Sequence, residues 1–171
     1  MIVSNSTPLI YLAKLGHLTP LRKLFAKVNV PDEVMVEVMR GKQLGFDDAA
    51  IIEKARQEGW IKAVKLNSAQ RRELLRLRRT FSDISDTDAA AIVLAKSLGT
   101  NLCIDDSRAI KVAEVLDVKH VGTLGIFLLA VKKGLLGGEK VKELVLSLPE
   151  HGFYVAHDLL AEFLEQLERF S

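Results

Sequence analysis

Five side chains could share one piece of chemistry: Asn5, Glu37, Asp88, Asp105 and Asp106. Asn5 follows the apolar run Met1 to Val3 and Ser4, and precedes Ser6, Thr7 and Pro8. Pro8 suits the first turn of a helix, where a missing N–H leaves nothing unpaired. In VPDEVMVEVM, Glu33 and Glu37 lie one helical turn apart on one face, beside an apolar face carrying Val34 and Val38. Glu33 suits the positive end of the helix dipole. Glu37 lies too deep for that and reads either as a solvated surface residue or as an acid turned toward a site. Asp88, in SDTDAAAIVLA, completes a capping box with Ser85. As a first-turn carboxylate on an apolar helix it can also point across a sheet edge into the crevice that would hold Asn5. Asp105 and Asp106 end the apolar run Asn101 to Ile104 and repel one another unless a cation, hydrogen bonds or solvent intervenes. Asp106 also fits a helix N-cap. Several oxygen ligands at one sheet edge suit a hard divalent ion such as Mg²⁺ or Mn²⁺.

These positions recur at junctions between two periodicities. Short β-rich runs fall at residues 1–4, 27–30, 61–65, 101–104 and 119–121, with a late one at 152–155. Helical spacing covers 8–14, 18–26, 31–39, 47–58, 68–79, 86–97, 107–116 and 123–133, then 138–147 and 158–170. Residues 39–46, with Gly41 and Gly45, read as a flexible loop. Strands alternating with helices give an α/β fold with a parallel sheet covered on both faces. Polar residues at the carboxyl ends of such strands are where these sheets place their sites. The length of 171 residues, 49% of them hydrophobic, suits one domain over 1–171, with a C-terminal helical extension from about 138.

Other features bound the partners. The lone Cys103 cannot form an internal disulfide and suits a reducing, cytoplasmic setting. No apolar run has the length of a membrane span, and the N-terminus lacks the pattern of a signal peptide. A net charge of +2 neither requires nor opposes nucleic acid. Local charge says more: Arg72, Arg76 and Arg79 fall on one helical face opposite Leu74, Leu77 and Phe81, either as a solvated face or as an RNA-binding stripe. His17, His120, His151 and His157 show no metal-ligand spacing, and GTLG at 122–125 lacks a phosphate-loop pattern.

Taken in order, VSNSTPLI, Glu37, SDTDAAAIVLA and LCIDDSRAIKVA resemble the PIN-domain family. VGTLGIFLLAVKKGLL is similar to a subfamily of small prokaryotic PIN-like proteins related to VapC toxins, and the likeness covers residues 1–137. The resemblance implies a three-layer α/β/α sandwich around a central, mainly parallel sheet. It also implies a metal-dependent ribonuclease using Mg²⁺ or Mn²⁺, frequent homodimers and, for toxin members, a cognate antitoxin. Carried over to this chain, the catalytic set is Asn5, Glu37, Asp88 and Asp106. The metal set adds Asp105, and Ser4 or Ser6 supplies a supporting hydroxyl. The chain departs from the family at Asn5, where an aspartate normally stands. An amide oxygen can ligate a cation but brings no charge, so cation affinity and activation of bound water should fall. Two functions follow: a weakened ribonuclease hydrolysing RNA phosphodiesters, or a catalytically inactive PIN-fold module binding RNA or protein.

Overall fold

The computed structural model describes residues 1–170. Five strands, β1 (Ile2–Ser4), β2 (Val28–Pro31), β3 (Ile61–Val64), β4 (Leu102–Cys103) and β5 (His120–Val121), pair in parallel in the order β3-β2-β1-β4-β5. Parallel pairing requires crossovers, and the helices between strands supply them. Seven helices bury apolar faces on one side of the sheet: α1 (Ser6–Lys14), α2 (Thr19–Phe25), α3 (Asp32–Gln43), α4 (Asp47–Gln57), α8 (Thr123–Lys132), α9 (Gly138–Ser147) and α10 (His157–Phe170). On the other side pack α5 (Ser68–Thr80), α6 (Asp86–Leu98) and α7 (Ser107–Val115). The result is the expected three-layer α/β/α sandwich.

Strand alternation assigns side chains to layers. Ile2 and Cys103 join the first core, whereas Val3, Leu102 and Ile104 join the second. Cys103 is fully buried, and burial, with Asp105 nearby, pushes its thiol well above the usual range. The strand order turns about β1. From β1 the chain builds outward through β2 to β3, then returns to place β4 and β5 on the other flank. A switch point therefore lies between β1 and β4, and the crevice beyond their carboxyl ends is where such sheets bind ligands.

Four expectations change. Helix α1 starts at Ser6 with Asn5 as its N-cap, so Pro8 is third in the helix, still among residues whose N–H has no helical partner. Pro31 closes β2 and caps α3 instead of opening it. Residues 39–43, expected as loop, continue α3. The late strand at 152–155 does not form, because a 3-10 turn, Leu148–His151, ends at Gly152 with φ +86°. There the Tyr11 hydroxyl donates to the Gly152 carbonyl at 3.1 Å, and the Phe153 ring packs edge-on to Tyr11 at 4.7 Å. No helix is long and apolar enough to cross a membrane among the described residues.

Candidate active site at the strand-order switch

Asn5 and Asp88 meet beyond the carboxyl end of β1, each from a different element. Asn5 follows β1 and, by alternation, faces the same layer as Val3. Asp88 stands in the first turn of α6, a helix in which every residue from Asp88 to Ala95 is buried. Asn5 Nδ2 donates to Asp88 Oδ1 at 2.5 Å, and both residues are buried, at 5% and 8% exposure. The amide has one satisfactory orientation. Asn5 Oδ1 accepts from Ser6 N–H at 2.8 Å, and a flip would set donor against donor there and oxygen against oxygen at Asp88.

Ser85 holds the far side of Asp88. Its main-chain N–H and its hydroxyl donate to Asp88 Oδ2 at 3.1 and 2.6 Å, while Ser85 Oγ accepts from Asp88 N–H at 3.0 Å. The capping box and the reach into the crevice thus coexist, because the two carboxylate oxygens divide the tasks. Glu37 joins through α1: the Ser6 hydroxyl donates to its Oε1 at 2.9 Å, although Glu37 is largely exposed. Glu37 is thus open to solvent and at the same time tied to the first turn of α1. Glu33 turns instead toward Arg71, 3.8 Å away.

The adjacent aspartates separate. Asp106 caps α7, its Oδ1 accepting from the N–H groups of Arg108 and Ala109 at 3.0 Å each, with the Arg108 guanidinium 3.7 Å from Oδ2. Asp105, partly buried, accepts from Thr123 N–H at 2.7 Å and from the Thr123 hydroxyl at 2.6 Å. It caps α8 from a different strand, since Gly122 at that helix's N-cap has no side chain to offer. Burial raises the Asp105 pKa, and the two Thr123 bonds oppose the rise. Ser4 lies beneath the crevice, its hydroxyl donating to the Asn5 carbonyl at 3.0 Å. Arg72, Arg76 and Arg79 are exposed on α5. Sequence reasoning passed over Thr123, whose only signal was its place opening a helix directly after β5. It also passed over Tyr11, whose hydroxyl is held above its usual pKa by burial first, then by Asp105 and Asp48.

A family model described as a PIN domain matches residues 1–169. The chain belongs to the PIN-domain family. Comparison with curated proteins found no matching sequence. PIN domains generally use divalent metals. This PIN domain offers the oxygens of Asn5, Glu37 and Asp88, a donor set of the right kind for a hard cation. Glu37 and Asp88 fit that use directly. Asn5 fits it only after its amide turns, because its Nδ2 already donates to Asp88 and its Oδ1 accepts from Ser6 N–H. Among the described residues, no three His, Cys, Asp or Glu side chains converge on a point by themselves.

Proposed function

We propose that this PIN domain is a metal-dependent ribonuclease of the VapC type in which Asn5 keeps cation affinity low. The observation that supports this most is the joining of Asn5, Ser6, Glu37 and Asp88 at the carboxyl end of β1, beside the strand-order switch. A Mg²⁺ or Mn²⁺ ion, held by Glu37 and Asp88, would supply an activated water and neutralise charge at phosphorus. The chain does the rest. Ser85 fixes the Asp88 carboxylate, Ser6 steers Glu37, and α1 and α6, which begin beside Asn5 and Asp88, would turn the positive ends of their dipoles toward a bound phosphate.

A second reading, a catalytically inactive RNA-binding or protein-interaction module, is favoured by the same 2.5 Å contact, since a neutral amide satisfies Asp88 without an ion. Cleavage of single-stranded and structured RNAs in Mn²⁺ or Mg²⁺ separates the two. The ribonuclease reading expects cleavage by the wild type and none by Asp88→Asn. If neither the wild type nor Asn5→Asp cuts, with folding verified, the module reading stands.

The VapC reading carries an antitoxin and a homodimer with it. Val36, Leu44 and Phe46, 54%, 73% and 54% exposed, offer apolar surface to a protein partner at α3 and the turn after it. The solution mass of the chain alone tests for a second copy. Co-expression with adjacent reading frames, scored by relief of growth arrest, tests for the antitoxin.

A further inference from the structure

Helix α5 concentrates positive charge. It carries five arginines and one glutamate, in a chain whose net charge is only +2. The structure divides the five by what they touch. Arg71 Nε donates to the Leu66 carbonyl at 3.2 Å, and its guanidinium reaches Glu33. Arg78 donates from Nε to Asp86 at 2.7 Å and from Nη1 to the carbonyls of Ser82 and Ile84. Arg78 and a 2.7 Å bond from Gln70 to Ser97 fasten α5 alongside α6, while Arg71 ties its first turn to Leu66 and to Glu33 of α3.

Arg72, Arg76 and Arg79 take no part in that fastening. All three are exposed, on the side away from Leu77, which is buried, and from Leu74 and Phe81, which pack on the core. The acid closest to the row is Glu73, 4.0 Å from Arg76 in a pair open to water, a geometry that neutralises little. Helical geometry sets the three within about 60° of arc and along about 10 Å, the length occupied by roughly three phosphates of a stacked strand. Leu75 lies one turn from both Arg72 and Arg79 and is 56% exposed, an apolar neighbour suited to a ribose or a base. The row ends close to the site. Arg78, next to Arg79, holds Asp86, which opens α6 two residues before Asp88.

We propose that Arg72, Arg76 and Arg79 form a track that binds the sugar-phosphate backbone of single-stranded RNA and leads it toward Asp88. The proposal rests on the RNA reading given above and adds where the strand lies. A row of exposed, poorly neutralised guanidiniums is matched by a polyanion with regularly spaced charges. The row's position on α5 also gives the bound strand a direction, from the outer end of the helix inward to the crevice.

The test is equilibrium binding of a fluorescent oligouridylate of about 12 nucleotides, in EDTA so that cleavage cannot intrude, between about 50 and 200 mM salt. Each phosphate neutralised on a single strand contributes about 0.7 to the slope of log K against log salt. The variant R72Q/R76Q/R79Q should lose about two units of slope and about tenfold or more in affinity at the low-salt end. The triple lysine variant should keep most of the slope. So should K132Q/K133Q/K142Q, which makes the same charge change on α8 and α9 across the sheet. An unchanged slope in the arginine-to-glutamine variant overturns the track, as does an equal loss in the lysine-to-glutamine control. If the wild type retains no oligonucleotide at all, the RNA reading falls with it.

Discussion

Asn5 Nδ2 and Asp88 Oδ1 stand 2.5 Å apart across 83 residues of chain. This bond joins the end of the central strand to the start of a buried helix, and it places a neutral donor against the carboxylate. The same contact therefore serves stability now and limits what charge the crevice can bind.

Replacing Asn5 by aspartate puts two carboxylates where one donor and one acceptor now meet. Without a cation the variant should lose about 1–3 kcal/mol, as a charged acceptor loses its donor and gains a like charge. With Mn²⁺ or Mg²⁺ it should recover that loss and more, since an ion that binds only the folded state raises its stability. Thermal melts of both proteins, with each metal and with EDTA, read this out. A melting temperature of Asn5→Asp that ignores metal would overturn the account of the site.

Ser85→Ala removes the cap of α6 and one of the two donors that Ser85 gives to Asp88. The main-chain donor survives and the hydroxyl does not. The cost should be about 1 kcal/mol in urea unfolding, in the range found for N-cap serines. Any cleavage should fall further than the lost stability explains, because Asp88 Oδ2 then keeps only the main-chain donor at 3.1 Å.

Asp105 gives a pH signature. Its folded pKa is raised, chiefly by burial, so the folded state takes up its proton at a pH where the unfolded chain is still ionised. Its contribution to stability is thus fully present below the ordinary carboxylate range and is lost as pH rises through the raised value. The stability of the wild type relative to Asp105→Asn should therefore increase as pH falls across that window. Paired unfolding curves at a series of pH values measure the difference; a flat or opposite trend would show that the Thr123 bonds outweigh burial.

Gly122 has no room for a methyl group. A Cβ built there would lie 2.8 Å from Asp105 Oδ1 and 3.5 Å from the Ile104 carbonyl. Gly122→Ala should displace the carboxylate from Thr123 and cost about 1–3 kcal/mol, the usual range for overpacking. If Asp105→Asn and Gly122→Ala act through this one contact, the double variant should be less destabilised than the two single effects added together.

The architecture was legible because its signals are local and repeated. Apolar runs of strand length alternate with helical spacing, and Ser85 with Asp88 spells out a cap in four residues. The link from α6 to Asn5 needed only the known placement of sites at strand ends. The N-cap at Asp106 was legible from its place before the helix, but the partner of Asp105 was not. Both stand at one strand end, yet alternation sends one carboxylate to a threonine 18 residues away and leaves the other on its own helix. The absent late strand escaped for a related reason: β-prone Phe153 and Val155 follow a left-handed glycine, and they pack on the core, Phe153 against Tyr11 of the first helix, instead of pairing with a sheet.

Cys103 gives the sheet a reporter of its own. Its thiol is shut between the sheet and the helices of the first core, at the strand position registered with Ser4, so an alkylating reagent reaches it only when those helices lift from the sheet. The labelling rate of the native protein then measures how often the middle of the molecule opens. Comparing that rate in the wild type and in Asn5→Asp, with and without cation, would show whether the bond at the crevice also latches the core beneath it.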